Sequence, residues 1–242
     1  MAADIWRKAS LLGIVGGIGP LASAEFLKTI YEYSQGEPEQ ASARVVLYSD
    51  PSFPDRTEAL LAGADAVLLE KLIEALEYLR RLSVSRTVIC CVTIHCLLPR
   101  LPGDLRESIW SLLDLIFRQV SLGQERHLLL CTSGTRKLEL FQNHSQWNAL
   151  KEQFILPDDE DQILIHELIY RIKQNHDPCR LVLTLESLLT KYKVNSFIAG
   201  CTEIHLLAKH LRTARGGRRD YGCLDPLIII AKEVARGAME DV

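Results

Sequence analysis

Short, wholly apolar runs alternate along this chain with longer stretches that are apolar on one side only. The runs at 11–17 (LLGIVGG), 43–50 (ARVVLYSD), 86–92 (RTVICCV), 127–134 (HLLLCTSG) and 195–201 (NSFIAGC) are rich in Val, Ile and Leu. Strands buried on both faces have that composition. Between them, apolar residues recur every three or four positions, the period of an amphipathic helix. Helices are expected at 20–34, 64–82, 103–120, 135–150, 159–175, 178–193, 202–212 and 226–237. A short strand is expected at 154–157, and 218–225 reads as a strand or turn. Pro20 suits the first turn of its helix. The stretch 49–57, with two prolines, reads as a stiff loop.

This alternation predicts the α/β class, with parallel sheets covered by helices on both sides. The pattern restarts about halfway. Two similar lobes are therefore expected, residues 1–118 plus 218–242 forming the N-terminal lobe and 119–217 the C-terminal lobe. The last helix is expected to return to the first lobe. In open parallel sheets a ligand sits beyond the carboxyl ends of the strands, so an active site is expected in the cleft between the lobes.

Composition narrows the function. The 242 residues are 48% hydrophobic, enough for a sizeable core, and the formal net charge is -3. The one basic cluster, 212–219 (RTARGGRR), has no aromatic neighbours and reads as solvated loop, so no nucleic-acid partner is expected. No apolar run has the ~18 residues of a membrane span, so no membrane partner is expected either. The chain start lacks the architecture of a signal peptide. Seven cysteines without framework spacing suit a reducing, cytoplasmic setting. No Cys/His group has zinc-like spacing, so no metal is expected.

The candidate chemistry lies at strand ends. Gly16 and Gly17 open a loop whose backbone N–H groups, ahead of a helix, suit an anion; the same glycines also suit a packing turn. The loop is neither a dinucleotide fingerprint nor a phosphate-binding GK[ST] loop. Pro51 stiffens the segment that carries Arg56, whose guanidinium fork fits a carboxylate. Thr132 and Thr135 offer hydroxyls and N–H groups. Two segments share a pattern: Cys91-Val92-Thr93 with His95, and Cys201-Thr202-Glu203 with His205. Thiols ending strands of opposite lobes would face each other across a cleft. That arrangement suits removing a proton from one face of a carbon and returning one to the other. Cys90, Cys96, Cys131, Cys179 and Cys223 have no such counterpart and read as packing residues.

Six landmarks in order, GIVGGIGPLAS, PSFPDRT, CVTIH, TSGT, AGCTEIHLL and LDPLIIIAKEV, make the chain resemble the aspartate/glutamate racemase family. The resemblance runs over nearly the whole chain. It implies racemisation of an acidic amino acid without pyridoxal phosphate or any other cofactor, with Cys91 and Cys201 as acid/base thiols. It implies that Thr93, Thr132 and Thr202 hold the α-carboxylate or amino group, and that Arg56 binds the side-chain carboxylate. Lys173 resembles a basic position that some aspartate racemases place near the substrate, and Glu203 follows the second Cys as in the family. A homodimer is an expectation on the same ground. One residue departs from the pattern: Val92 stands where the family usually has Asn. The loss of that amide keeps two other readings open. One is a related enzyme resembling maleate isomerases or arylmalonate decarboxylases; the other is a non-catalytic relative that binds an acidic ligand or a partner protein.

Overall fold

A computed structural model describes residues 10–34, 38–176, 178–213 and 221–237. The chain start and most of the basic cluster at 212–219 lie outside these residues, as does the side chain of Cys179. The chain forms two sheets. In the first, β1 (Leu11–Gly16) is central, between β2 (Arg44–Ser49) and β3 (Arg86–Ile89). In the second the order is β5 (Phe154–Ile155), β4 (His127–Leu130), β6 (Ser196–Ala199), β7 (Gly222–Leu224). Every pairing is parallel. β4 and β6 are buried along their whole length, as their unbroken apolar sequences require, while the edge strand β2 is only partly covered.

Helices join the strands: α1 (Pro20–Tyr33), α2 (Arg56–Leu61), α3 (Ala66–Arg81), α4 (Gly103–Arg106), α5 (Leu112–Ser121), α6 (Ser133–Lys137), α7 (Trp147–Leu150), α8 (Asp159–Lys173), α9 (Pro178–Lys191), α10 (Ile204–Thr213) and α11 (Pro226–Ala235). Side-chain caps set many of their starts. Asp55, Ser111, Thr132, Asp158 and Asp225 each accept a backbone N–H from the first turn that follows. One apolar cluster joins the two sheets, holding Leu12, Ile14 and Val88 of the first with Leu129 and Ile198 of the second. Leu227, Ile230 and Val234 of α11 pack into it too, beside Phe26 and Ile30 of α1. β7, just before α11, hydrogen-bonds within the second sheet.

Four expectations need correction. The helix over 103–120 is broken, because Ile109 bridges to Thr87 and the N–H of Trp110 donates to the Thr87 carbonyl. That segment prolongs the edge of the first sheet, and Ser111 then caps a new helix. The helix over 135–150 is also broken. Glu139 adopts φ 49°, which an α-helix cannot include, and turns run to α7. The strand over 86–92 stops at Ile89, and Thr93–Arg100 winds into a 3₁₀ helix. The loop at 49–57 ends in α2, because Asp55 caps it. No helix among the described residues is long and apolar enough to cross a membrane.

Candidate active site

The carboxyl ends of β1, β2, β3, β4 and β6 converge, and there the two sheets carry their polar residues. A cleft of about 180 Å³ is lined from the first lobe by Gly17, Gly19, Pro51 and Arg56, and from the second by Ile172, Lys173, Glu203 and Leu206. A larger hollow of about 740 Å³ lies beside Ser196 and Gly222, at the opposite strand ends; Cys91 and Cys201 lie behind the cleft wall and line neither space.

The glycines are set by sterics. A Cβ on Gly16 would meet Leu47 and Ser23 at 2.7 Å. Gly17 has φ 79°, and a Cβ there would lie 2.3–2.5 Å from the Asp50 backbone. The Gly17 N–H donates to Ser23 Oγ, so it already has a partner within the loop. Pro51 lies on the wall, and Arg56 opens α2 at the rim.

Cys91 and Cys201 are 7% and 5% exposed, so each is reached past a charged neighbour. The Arg56 guanidinium is beside Cys91. Burial alone would lower the Arg56 pKa, but the Cys91 sulfur, Asp55 and Glu203 outweigh it and hold the cation firmly charged. Cys201 Sγ donates to Glu203 Oε2 at 2.8 Å. Burial, then the Glu203 carboxylate, push the Cys201 thiol well above its usual range, and only Lys173 pulls the other way. Lys173 ends α8 with its ammonium 4.0 Å from the Tyr170 ring centroid. Its pKa is raised: Cys201, Glu203 and Tyr170 overcome both its burial and the repulsion from Arg56.

The threonines join the lobes. Thr93 Oγ1 lies 2.8 Å from Thr135 Oγ1 and 3.4 Å from Thr132 Oγ1, and those two are 3.1 Å apart. The Thr135 N–H donates to Thr132 Oγ1 and the Ser133 N–H to His166 Nδ1, so these loop amides are engaged internally. Thr202 Oγ1 donates across the lobes to the Cys90 carbonyl at 3.1 Å. Val92 is separate from all of these. It is 1% exposed and belongs to the apolar cluster with Trp110, Leu112 and Leu129; like Cys91, Thr93 and Cys201, it is not among the residues that line the cleft.

The two histidines at matching spacing turn away from the sulfurs. His95 Nδ1 donates to the Cys91 carbonyl at 2.8 Å, while Nε2 accepts the Leu112 N–H at 3.1 Å. Those two bonds require a neutral imidazole, and burial holds the His95 pKa down to about 4. His205 lies 2.7 Å from Asp225 Oδ2 and 2.9 Å from Thr29 Oγ1. Neither imidazole forms a Cys–His nucleophile pair.

Sequence reasoning missed Asp55, Tyr170 and Gly19. Tyr170 Oη donates to Asp55 Oδ2 at 2.8 Å, which ties α8 to the cap of α2 beside both cations. The signal for Asp55 was its capping pattern, an Asp with Glu58 three residues on. Tyr170 precedes Lys173 by three positions on one helix face. Among the described residues no His/Cys/Asp/Glu group could hold a metal ion.

The model of the Asp/Glu/hydantoin racemase family matches residues 15–234 of this chain. Solved structures share the fold. Aspartate racemase from Picrophilus torridus superposes with a TM-score of 0.77 at 22% identity, over 95% of this chain and 99% of that one. An aspartate racemase homologue from Pyrococcus horikoshii gives 0.66 at 18% identity, over 96% and 100%. Glutamate racemase from Francisella tularensis, in complex with D-glutamate, gives 0.58 at 12% identity, over 94% and 80%.

Proposed function

We propose that this chain, which belongs to the Asp/Glu/hydantoin racemase family, racemises aspartate or glutamate with Cys91 and Cys201 as its two acid/base groups. The observation that carries the substrate class is the pair of half-buried cations. Arg56 and Lys173 enter one cleft from opposite lobes, and each is held charged beside one of these thiols. Two cations across a cleft of about 180 Å³ suit a small dicarboxylate.

The substrate's two carboxylates bind Arg56 and Lys173. The α-carbon then lies between the sulfurs. The Cys91 thiolate, facing Arg56, takes the α-proton from one face, and the electron pair passes toward the α-carboxylate. Cys201 gives its proton to the other face, and its sulfur keeps the pair. In the reverse direction the roles exchange. The developing carboxylate charge is met by the cation that binds that carboxylate, a charge already in place, which is where such sites gain most of their rate. Thr93, Thr132 and Thr135 supply hydroxyls by rotating out of their mutual bonds. The raised thiol pKa of Cys201 fits a group that starts protonated.

The side chain of Val92 packs in the apolar cluster with Trp110, Leu112 and Leu129. The unpaired cysteines among the described residues suit a reducing cytoplasm. The test is direct. Incubation with L-aspartate and with L-glutamate, followed by chiral chromatography, should yield the D-enantiomer of one of them. No change of either substrate sinks the proposal.

A further inference from the structure

Glu203 is the one carboxylate lining the cleft, and half of it is idle. Its Oε2 accepts from Cys201 Sγ at 2.8 Å and lies 3.4 Å from Thr202 Oγ1. Its Oε1 is closed off from solvent and has no hydrogen-bond partner. A buried carboxylate oxygen without a donor is costly, so such an atom marks a place where a donor arrives. Oε1 lies over Gly19, only 2.4 Å from where a Cβ would stand, and Gly19 lines the same cleft. Arg56 and Lys173 feel the Glu203 charge, yet neither forms an ion pair with it among the described contacts. Arg56 donates to the Pro54 and Ile18 carbonyls, and the rest of its fork, like the Lys173 ammonium, faces the cleft.

The charges of the cleft form a pattern: two cations and one anion. An acidic amino acid carries the mirror of it, two carboxylates and one ammonium. We propose that Glu203 Oε1 receives the α-ammonium of the substrate, and that this contact readies Cys201 for proton transfer. The inference rests on the acidic-amino-acid reading above. Without a substrate, the Glu203 charge beside Sγ opposes a thiolate there. An ammonium on Oε1 offsets that charge. The S–H bond of Cys201 then breaks more readily as its proton forms the new Cα–H bond, and the electron pair left on sulfur is tolerated. Substrate recognition and the acidity of one thiol are thus joined in a single side chain, and a dicarboxylate lacking the amino group cannot trigger the change.

The experiment compares L-aspartate with succinate, which has the same two carboxylates and no ammonium. Calorimetry on the unaltered protein should show L-aspartate binding more tightly. Glu203→Gln should weaken L-aspartate by roughly ten- to a hundredfold, the loss of one charge-assisted contact, and leave succinate bound equally or more tightly. In a Cys91→Ala background, Glu203→Gln should also move the pH profile of Cys201 alkylation to lower pH. Equal binding of the two ligands by the unaltered protein overturns the inference, and needs no variant that could misfold. Parallel losses for both ligands in Glu203→Gln, or an unmoved alkylation profile, overturn it as well. Failure of both ligands to bind would instead count against the acidic-substrate reading.

Discussion

The two thiol-bearing turns look alike in sequence and differ in electrostatics. Cys91 sits beside a guanidinium, just ahead of the 3₁₀ helix, and its carbonyl is fastened by His95. Cys201 sits at the start of α10, hydrogen-bonded to a carboxylate, with an ammonium as its only opposing influence. A symmetric reaction is thus assigned to an asymmetric pair. One thiol faces a guanidinium, the other a carboxylate. The matching histidines teach the same lesson. Both follow a cysteine by four residues, and both bind scaffold atoms instead of sulfur. Spacing repeated the frame; the neighbours contributed by other elements made the two sites different.

The sharpest way to break this comparison is to remove each thiol. Cys91→Ala and Cys201→Ala should each lower kcat/KM by roughly 10²–10⁴-fold, the usual contribution of a positioned acid or base. The two enantiomers have equal free energy, so kcat/KM must fall equally in both directions for either variant. A variant that racemises normally would show that its thiol is only a packing residue.

His95 sharpens the comparison on the Cys91 side through stability. Its folded-state pKa of about 4 lies below the ordinary 6.5, so the unfolded chain takes up the proton first. The stability contribution is whole above about pH 6.5 and drains away as the pH falls toward 4. A depression of that size amounts to roughly 3 kcal/mol. Asp114, near the start of α5, is the charged group that bears on His95 and favours the cation. Denaturant midpoints between pH 7 and 4 should fall in the unaltered protein and fall less in His95→Gln. An equal slope in both would place the acid sensitivity elsewhere.

A smaller effect should follow from the two cations. Arg56→Met and Lys173→Met each remove one charge-assisted contact, worth roughly 1.5–3 kcal/mol, or about ten- to 150-fold in kcat/KM. Arg56→Lys keeps the charge and loses the fork, so it should recover only part of the loss. Unchanged kinetics in Arg56→Met would detach the cation from the substrate.

Much of this was legible in the sequence because it depended on local rules. Unbroken apolar runs marked β1, β4 and β6, and the glycines and Arg56 after two strand ends do line the cleft. What escaped depended on distant partners. The break at Ile109 came from pairing with Thr87, 22 residues away, which overrode a good helical period. Val92 was given a substrate position because it stands where the family usually has Asn. Its direction was set by the turn that replaces the end of the expected strand, which sends it into the core. Tyr170 could not be chosen among many helix positions without Asp55, 115 residues earlier, across the cleft. The idle oxygen of Glu203 is likewise a product of three segments meeting, Gly19, Lys173 and Cys201.

The central claim is that two different groups act on opposite faces of one carbon. Early time points in D₂O test it most directly, with the α-position of substrate and product followed by NMR and mass spectrometry. The account predicts that the product enantiomer carries deuterium from the first turnovers while recovered substrate remains protiated, because each thiol holds a single proton. Equal deuterium in both pools would mean that one group serves both faces, and product formed without deuterium would mean that the original proton returns; either result contradicts the account.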